Sequence, residues 1–394
     1  MIDKKINVLY VCSSPTYYGD NIALMNIIPH LEEYGVNPFF LIQKEGDFAD
    51  ILKQRGYRFA VCKFAYNNLY NLRNPVLSYI KRAIKGMIHD MALKKYIQIA
   101  CTILGDFKPD IIHSNNTANR FGLLLSKKLN VPHVWHIREY MDKDHNMGFF
   151  PSKHVFESML NSSNNSCISI TQDVASHFST TSENRVIYDG VVPYTDKQLA
   201  LGAKEDIILF VGRLLETKGV FDIIDAFICI AKRHPTYELW FVGEGDDNVK
   251  ARLFDLIRKH GFEGRVKLMG YKTNVFDYMR KAKAIVVSSR FEAFGFITAE
   301  AMYNGCLVIG RNTAGTKMQF DNGVKFVNDE IGLRYNTTEE LTRAMEKVMS
   351  LTKDEVFVKL NNAYKTVQHF YTTKNSAIKV FDYYIDILNI SNGN

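Results

Sequence analysis

Strand-like and helix-like stretches alternate along this chain, and the alternation leaves few folds open to it. Apolar runs suited to buried strands stand at Ile6–Cys12, Pro38–Ile42, Asp110–His113, His133–Ile137, Cys167–Thr171 and Arg185–Tyr188. Helical patterns fall between them at Asn21–Tyr34, Phe48–Arg55, Ala118–Leu129 and Lys153–Asn161. Pro29 is expected to kink the first of these helices or end it early. The second half repeats the scheme. Strands are expected at Ile207–Val211, Glu238–Val242, Val266–Met269, Ala284–Val287 and Leu307–Ile309, and helices at Val220–Lys232, Asp247–Lys259 and Glu339–Ser350. Such alternation predicts an α/β fold of parallel sheets with crossover helices.

A chain of 394 residues exceeds one core, so two domains of roughly 200 residues are expected. The break should fall near Asp189–Glu205, where Asp-Gly, a proline and a polar stretch separate two apolar blocks. This gives domains at 1–190 and 191–371 and a final piece at 372–394. That piece is helical, with Ala377, Val380, Phe381, Tyr384 and Leu388 on one stripe. Crossing back onto the first domain is one way to bury it.

Six cysteines (Cys12, Cys62, Cys101, Cys167, Cys229 and Cys306) show neither a C-x-x-C pair nor zinc spacing, which points to a reducing compartment and no metal site. The apolar run at Ile6 to Cys12 is too short for a signal core or a membrane span, so a cytoplasmic protein is expected. The formal net charge is +7, and it is unevenly placed. Arg73, Lys81, Arg82, Lys85, Lys94 and Lys95 face one acid, Asp90, so the stretch 73–95 carries +5 of that total. Val76, Ile80, Ile84, Met87 and Met91 run through it at helical spacing. A basic amphipathic helix can lie on an anionic membrane, here the inner face of the plasma membrane; the other reading is a packed helix with a solvated basic face. Nucleic acid is not expected, because the charge is local and no binding motif accompanies it.

Several groups could do chemistry. Glu292 and Glu300 flank Phe294-Gly295-Phe296, between an apolar strand and a helix running to about Asn304. Carboxylates at the carboxyl edge of a parallel sheet can accept sugar hydroxyls, and free amides after a glycine can hold an anion. Each Glu alone also reads as a solvated surface charge. Arg213 and Lys218 stand in Gly212-Arg213-Leu214-Leu215-Glu216-Thr217-Lys218-Gly219, after a strand and before a helix. Two cations there suit a pyrophosphate, although solvated loop charges would look the same. Gly19, after the first strand, would let a ligand approach the backbone. Gly243-Glu244-Gly245 reads mainly as a tight turn, since the dinucleotide fingerprint G-x-G-x-x-G is absent. His113 and His136 each end a strand, and each is either a site residue or a hydrogen-bonded core residue.

In register, these features resemble the retaining glycosyltransferases of family 4, which have the two-domain GT-B fold. The resemblance covers nearly the whole chain. It rests on Glu292-x7-Glu300, on Gly212-Arg213 with Lys218-Gly219, on Gly243-Glu244-Gly245 and on Leu268-Met269-Gly270-Tyr271. It implies two Rossmann-like domains facing a cleft, an acceptor-side domain first and a nucleotide-sugar domain second, with the last helix crossing back. It further implies that Arg213 and Lys218 neutralise the donor diphosphate and that Glu300 accepts from the ribose. Glu292 would hold the donor sugar beside Phe294, Gly295 and Phe296, the base would lie near Met269 and Tyr271, Gly19 would meet the donor phosphate, and His136 would stand on the acceptor side. No metal or other cofactor is expected. The implied activity is transfer of a sugar from a nucleoside-diphosphate donor to a hydroxyl of a lipid-linked or oligosaccharide acceptor, in surface polysaccharide (capsule or O-antigen) or glycolipid synthesis. Two other classes stay open: an inactive sugar-nucleotide-binding regulator and a nucleotide-sugar epimerase. The chain departs from the family pattern at Tyr18-Gly19-Asp20, where two adjacent glycines are usual. It departs again at Asp189, where Asn is common, and at Ala314–Gln319, a loop lacking the usual acid.

Overall fold

A computed structural model describes residues 5–64, 69–72, 74–117, 120–180, 184–199 and 202–392. Arg73 of the basic stretch and Ala118, the expected start of one helix, lie outside the described residues. The chain forms two units, Met1–Gly190 with Thr373–Asn394, and Val191–Thr372.

The first unit carries strands β1 (Ile6–Cys12), β2 (Val36–Ile42), β3 (Phe59–Val61), β4 (Leu69–Tyr70), β5 (Ile111–Ser114), β6 (His133–Ile137), β7 (Met147–Gly148), β8 (Asn165–Ser169) and β9 (Arg185–Val186). Its helices are α1 (Gly19–Glu33), α2 (Asp47–Gln54), α3 (Pro75–Leu104), α4 (Phe121–Leu129), α5 (Lys153–Leu160) and α6 (Gln172–His177). Among the described residues, seven strands form a parallel sheet in the order β3-β2-β1-β5-β6-β8-β9. β1 is central, pairing Ile6 with Val36 on one side and Val8 with Ile111 on the other. Its alternate residues serve two cores. Val8, Tyr10 and Cys12 join one cluster, and Leu9 and Val11 join another. A strand covered on both faces reads as a continuous apolar run, which is why the sequence exposes it.

The second unit has β10 (Glu205–Val211), β11 (Glu238–Val242), β12 (Val266–Leu268), β13 (Ala282–Val287), β14 (Leu307–Arg311) and β15 (Leu333–Tyr335). Its helices are α7 (Val220–Ala231), α8 (Asp247–Lys259), α9 (Val275–Lys281), α10 (Phe296–Tyr303), α11 (Ala314–Val327), α12 (Thr338–Ser350) and α13 (Lys353–Phe370). Its parallel sheet runs β12-β11-β10-β13-β14-β15. The chain then returns to the first unit as α14 (Thr373–Asn392), which packs on α1 and buries Ala377, Val380, Tyr383, Tyr384 and Ile387.

One local expectation is corrected and two are narrowed. α1 runs through Pro29 without ending, because Ile27, Ile28 and Leu31 on either side are buried in the core. Ala314–Gln319 is the start of α11 and not a loop. The helix holding the basic stretch extends to Leu104, and it turns its apolar stripe outward: Val76, Ile80, Ile84, Met87 and Met91 are all exposed.

Candidate active site

In an open parallel sheet, the crevice where strand order reverses lies at the carboxyl ends of the strands. In the second unit that point falls between β10 and β13, and the loops after these two strands carry Arg213, Lys218 and Glu292. The loop after β10 turns at Gly212, makes a 3-10 turn at Glu216–Lys218 and enters α7 through Gly219. It is stitched to the end of β13: Arg290 N donates to the Thr217 carbonyl at 3.3 Å, and Ser288 Oγ donates to the Lys218 carbonyl.

The stitching brings Lys218 Nζ to 3.0 Å from Glu292 Oε2. Both side chains remain about 30% exposed, 31% and 27%, so a ligand can reach them. Arg213 is exposed, with no ion pair among the described residues. Glu300 lies on α10, where burial and then the charge of Glu292 push its carboxyl up to about 7. Two carboxylates therefore stand close enough to feel each other's charge, and Lys218 is paired with the first of them, Glu292.

Gly295 fixes the start of α10. It sits at φ 87, a left-handed conformation that suits glycine, and no side chain caps the helix. An uncapped helix start offers N–H groups to an anion. α11 holds this turn in place: Gln319 Nε2 donates to the carbonyls of Phe294 at 2.8 Å and Gly295 at 3.0 Å, and Thr316 Oγ1 meets Thr298 Oγ1 at 3.0 Å. The sequence reading passed over Gln319. Its Oε1 is buried and unpartnered.

The loops after β11 and β12 close the same edge. An added Cβ at Gly243 would stand 2.0 Å from the Gly212 carbonyl oxygen, so Gly243-Glu244-Gly245 is a turn demanded by close approach. Glu244 Oε1 accepts from Tyr271 N at 3.3 Å, and Met269 N donates to the Phe241 carbonyl at 2.8 Å. Tyr271 is 70% exposed, an aromatic face open to a flat partner. A hollow of about 300 Å³ lined by Glu216, Thr217, Gly219, Phe221, Asp222 and Arg290 adjoins the loop after β10. Among the described residues, no group of three His, Cys, Asp or Glu side chains is placed to hold a metal ion.

The first unit holds Gly19 and His136. Its strand order reverses between β1 and β5, and a buried polar network fills the edge there. His136 Nδ1 lies 3.2 Å from Arg138 Nη2 and 3.2 Å from His113 Nε2, and His113 Nδ1 lies 2.6 Å from the Tyr384 hydroxyl. Burial first, then Arg138 and His113, hold the His136 ring well below its usual range, so it is neutral. Arginine can only donate, so Nδ1 accepts and the ring proton sits on Nε2, which is buried without a partner. Arg138 also pairs with buried Asp189, which explains the acid at that position. Asp20 accepts from Asn116 Nδ2 at 3.1 Å and from Asn21 N at 2.9 Å. Burial raises both Asp20 and Glu139, the latter to about 8 with the charge of Asp20 as second cause. Gly19 opens α1 with a backbone that does not demand glycine, and an added Cβ would meet nothing within 4 Å.

Two doubly wound units built on parallel sheets, with charged groups at a strand-order reversal, define a GT-B type of fold. HepE from Anabaena, solved with UDP, superposes with a TM-score of 0.74 at 19% identity, covering 96% of this chain and 99% of that one. A glycosyltransferase from Rickettsia africae gives a TM-score of 0.75 at 18% identity over 98% and 99% of the two chains. An uncharacterized glycosyltransferase of Methanocaldococcus jannaschii is 27% identical over 308 residues, 72% of this chain and 76% of its own. A lipopolysaccharide core biosynthesis glycosyltransferase, LpsE of Rhizobium meliloti, is 25% identical over 160 residues, and the match spans 41% of this chain and 44% of LpsE. Residues 193–366, most of the second unit, match the family described as glycosyl transferases group 1. The chain thus has the GT-B fold, and its second unit carries the match to that family.

Proposed function

We propose that this protein transfers a sugar from a nucleoside-diphosphate donor to a hydroxyl acceptor with retention of configuration. The observation that carries the reading is the Lys218–Glu292 contact, with Glu300 beside it, where strand order reverses in the second unit. UDP and UDP-glucose in the structural relatives support a nucleotide-sugar donor. In this reading Arg213 and Lys218 bind the diphosphate. The bond from the anomeric carbon to the diphosphate breaks as the bond to the acceptor oxygen forms on the same face, and the acceptor proton passes to a leaving phosphate oxygen. The two cations offset the charge gathering on that phosphate, a task a metal ion performs elsewhere. Glu292 holds sugar hydroxyls, Glu300 accepts from the ribose, and the amides from Phe294 to Phe296 meet the phosphate or sugar. The base lies against Met269 and Tyr271. Gly19 meets the donor phosphate, and neutral His136 offers its Nε2 proton to a substrate oxygen on the acceptor side. A surface-polysaccharide or glycolipid acceptor draws support from the lipopolysaccharide enzyme among the relatives.

The test is a thermal-shift screen against nucleoside diphosphates and their sugars, followed by transfer with the donor that binds. A binding donor raises the melting temperature by mass action. Transfer should persist in EDTA and give a product with the donor's anomeric configuration by NMR. An inverted product removes the retaining mechanism. Donor binding without turnover supports the regulator instead, and an altered free sugar nucleotide supports the epimerase.

A further inference from the structure

α3 is built the wrong way round for a helix of a soluble domain. Its inner row is small or polar over the first four turns. Ser78 is buried with its hydroxyl donating to the Leu72 carbonyl at 3.2 Å, Arg82 bonds to the Asn71 side chain, and Gly86 packs flat on Phe150. An added Cβ at Gly86 would lie 2.2 Å from that ring. The same row continues as Leu93, Ala100 and Leu104, which anchor the helix in the core. The opposite row is apolar and faces outward. At 100° per residue, Val76, Met87, Ile80, Met91, Ile84, Leu77 and Ile88 fill one continuous arc of about 120°. All seven are exposed, from 46% at Ile80 to 83% at Met91. A patch of this kind on a folded surface marks a contact.

Charge selects the partner. Lys81 and Lys85 border the arc, and Lys94 and Lys95 continue its line one turn beyond Met91. No ion pair engages these four lysines among the described residues. The acid of the stretch, Asp90, is already paired with Arg120. Apolar side chains rimmed by lysines match the boundary between anionic headgroups and acyl chains, where lysine stems lie along apolar surface and the amines reach phosphate. A second copy fits less well. A two-fold pairing centred on Ile84 would bring Lys81 and Lys85 of both copies together, and like charges in a contact cost several kcal/mol. No helix among the described residues is long and apolar enough to cross a membrane.

We infer that the first half of α3 is a docking surface that lies in the plane of an anionic bilayer, with the Val76-to-Met91 arc in the interface and the lysines on the headgroups. The surface belongs to the first unit and does not depend on the transfer chemistry.

The full chain is floated with vesicles of phosphatidylcholine alone and of phosphatidylcholine with phosphatidylglycerol. It should rise with the anionic vesicles and stay down with the neutral ones. Changing Lys81, Lys85, Lys94 and Lys95 to Gln should weaken partition about fivefold per lysine. Ile84→Gln with Met91→Gln should abolish it while circular dichroism stays unchanged, since both positions are exposed. A Met87→Trp reporter should shift to the blue on anionic vesicles. Equal flotation on both vesicles, no flotation, or flotation that neither set alters overturns the proposal. So does a dimer in sedimentation velocity that Ile84→Gln with Met91→Gln dissolves, because that assigns the arc to another copy.

Discussion

The two units reverse their strand order in the same way and use the place differently. In the first, the edge between β1 and β5 is packed with Asp20, Asn115, Asn116, Arg138 and Asp189, bonded to one another and mostly buried. In the second, the edge between β10 and β13 leaves Arg213 in water and Lys218 with Glu292 partly so. Charge that is buried and fully paired holds a fold together; charge left exposed at the same topological point is available to a ligand. One fold thus carries a polar core and an exposed charged rim in corresponding places.

The strongest way to sharpen the contrast is to compare two arginines. Arg138→Ala leaves Asp189 buried without its partner and should cost roughly 3–5 kcal/mol in urea unfolding. Arg213→Ala should stay within about 0.5 kcal/mol. Equal losses would erase the distinction. Next, Lys218→Ala and Glu292→Gln should each lower transfer by about 10²–10³-fold, the range seen when a charge-stabilising group is removed. Their exposed contact contributes at most ~1 kcal/mol to folding, so melting temperatures should barely move.

A smaller effect concerns pH. Glu139 keeps its proton to about 8 in the fold, against an ordinary value of 4.5. The unfolded chain gives that proton up first, so this group's contribution falls as pH rises from 4.5 through about 8, by at most ~1.4 kcal/mol per pH unit. Glu139→Gln should flatten the decline in melting temperature across that window. An unchanged slope would mean that the buried carboxyl is not the source. The smallest stability effect belongs to Gly19→Ala. The site has room, so folding should gain about 0.4–1 kcal/mol, while turnover falls if the donor approaches that backbone. Unchanged turnover would release Gly19 from the site.

The strands were legible because residues covered on both faces leave unbroken apolar runs. The positions of Arg213, Lys218 and Glu292 in loops at the second unit's edge were legible because each follows such a run within seven residues, whereas Glu300 lies farther on, inside α10. α13 was missed, although Thr352 and Glu355 form a capping box that announces its start. Gln319 was missed because its partners are backbone carbonyls of Phe294 and Gly295, and no pattern of side chains marks such a bond. The network of the first unit was out of reach for a related reason. Arg138 and Asp189 stand 51 positions apart, and Asp20 and Asn116 stand 96 apart. The stripe on α3 was visible, but periodicity states only that a helix has two faces. Which one turns inward was decided by Gly86 against Phe150, a contact that spacing does not encode.

The return of the chain as α14 has a consequence for how the molecule is made. Tyr384 on that helix reaches both His113 and Tyr10, so the centre of the first unit is finished by residues translated after the entire second unit. On the ribosome the amino-terminal sheet must wait, incomplete, with the surface of α1 uncovered, while its neighbour is synthesised. A chaperone that shields that surface during the wait would raise the yield of native protein, and a chain stopped at Thr372 would leave the first unit open even though the second is whole.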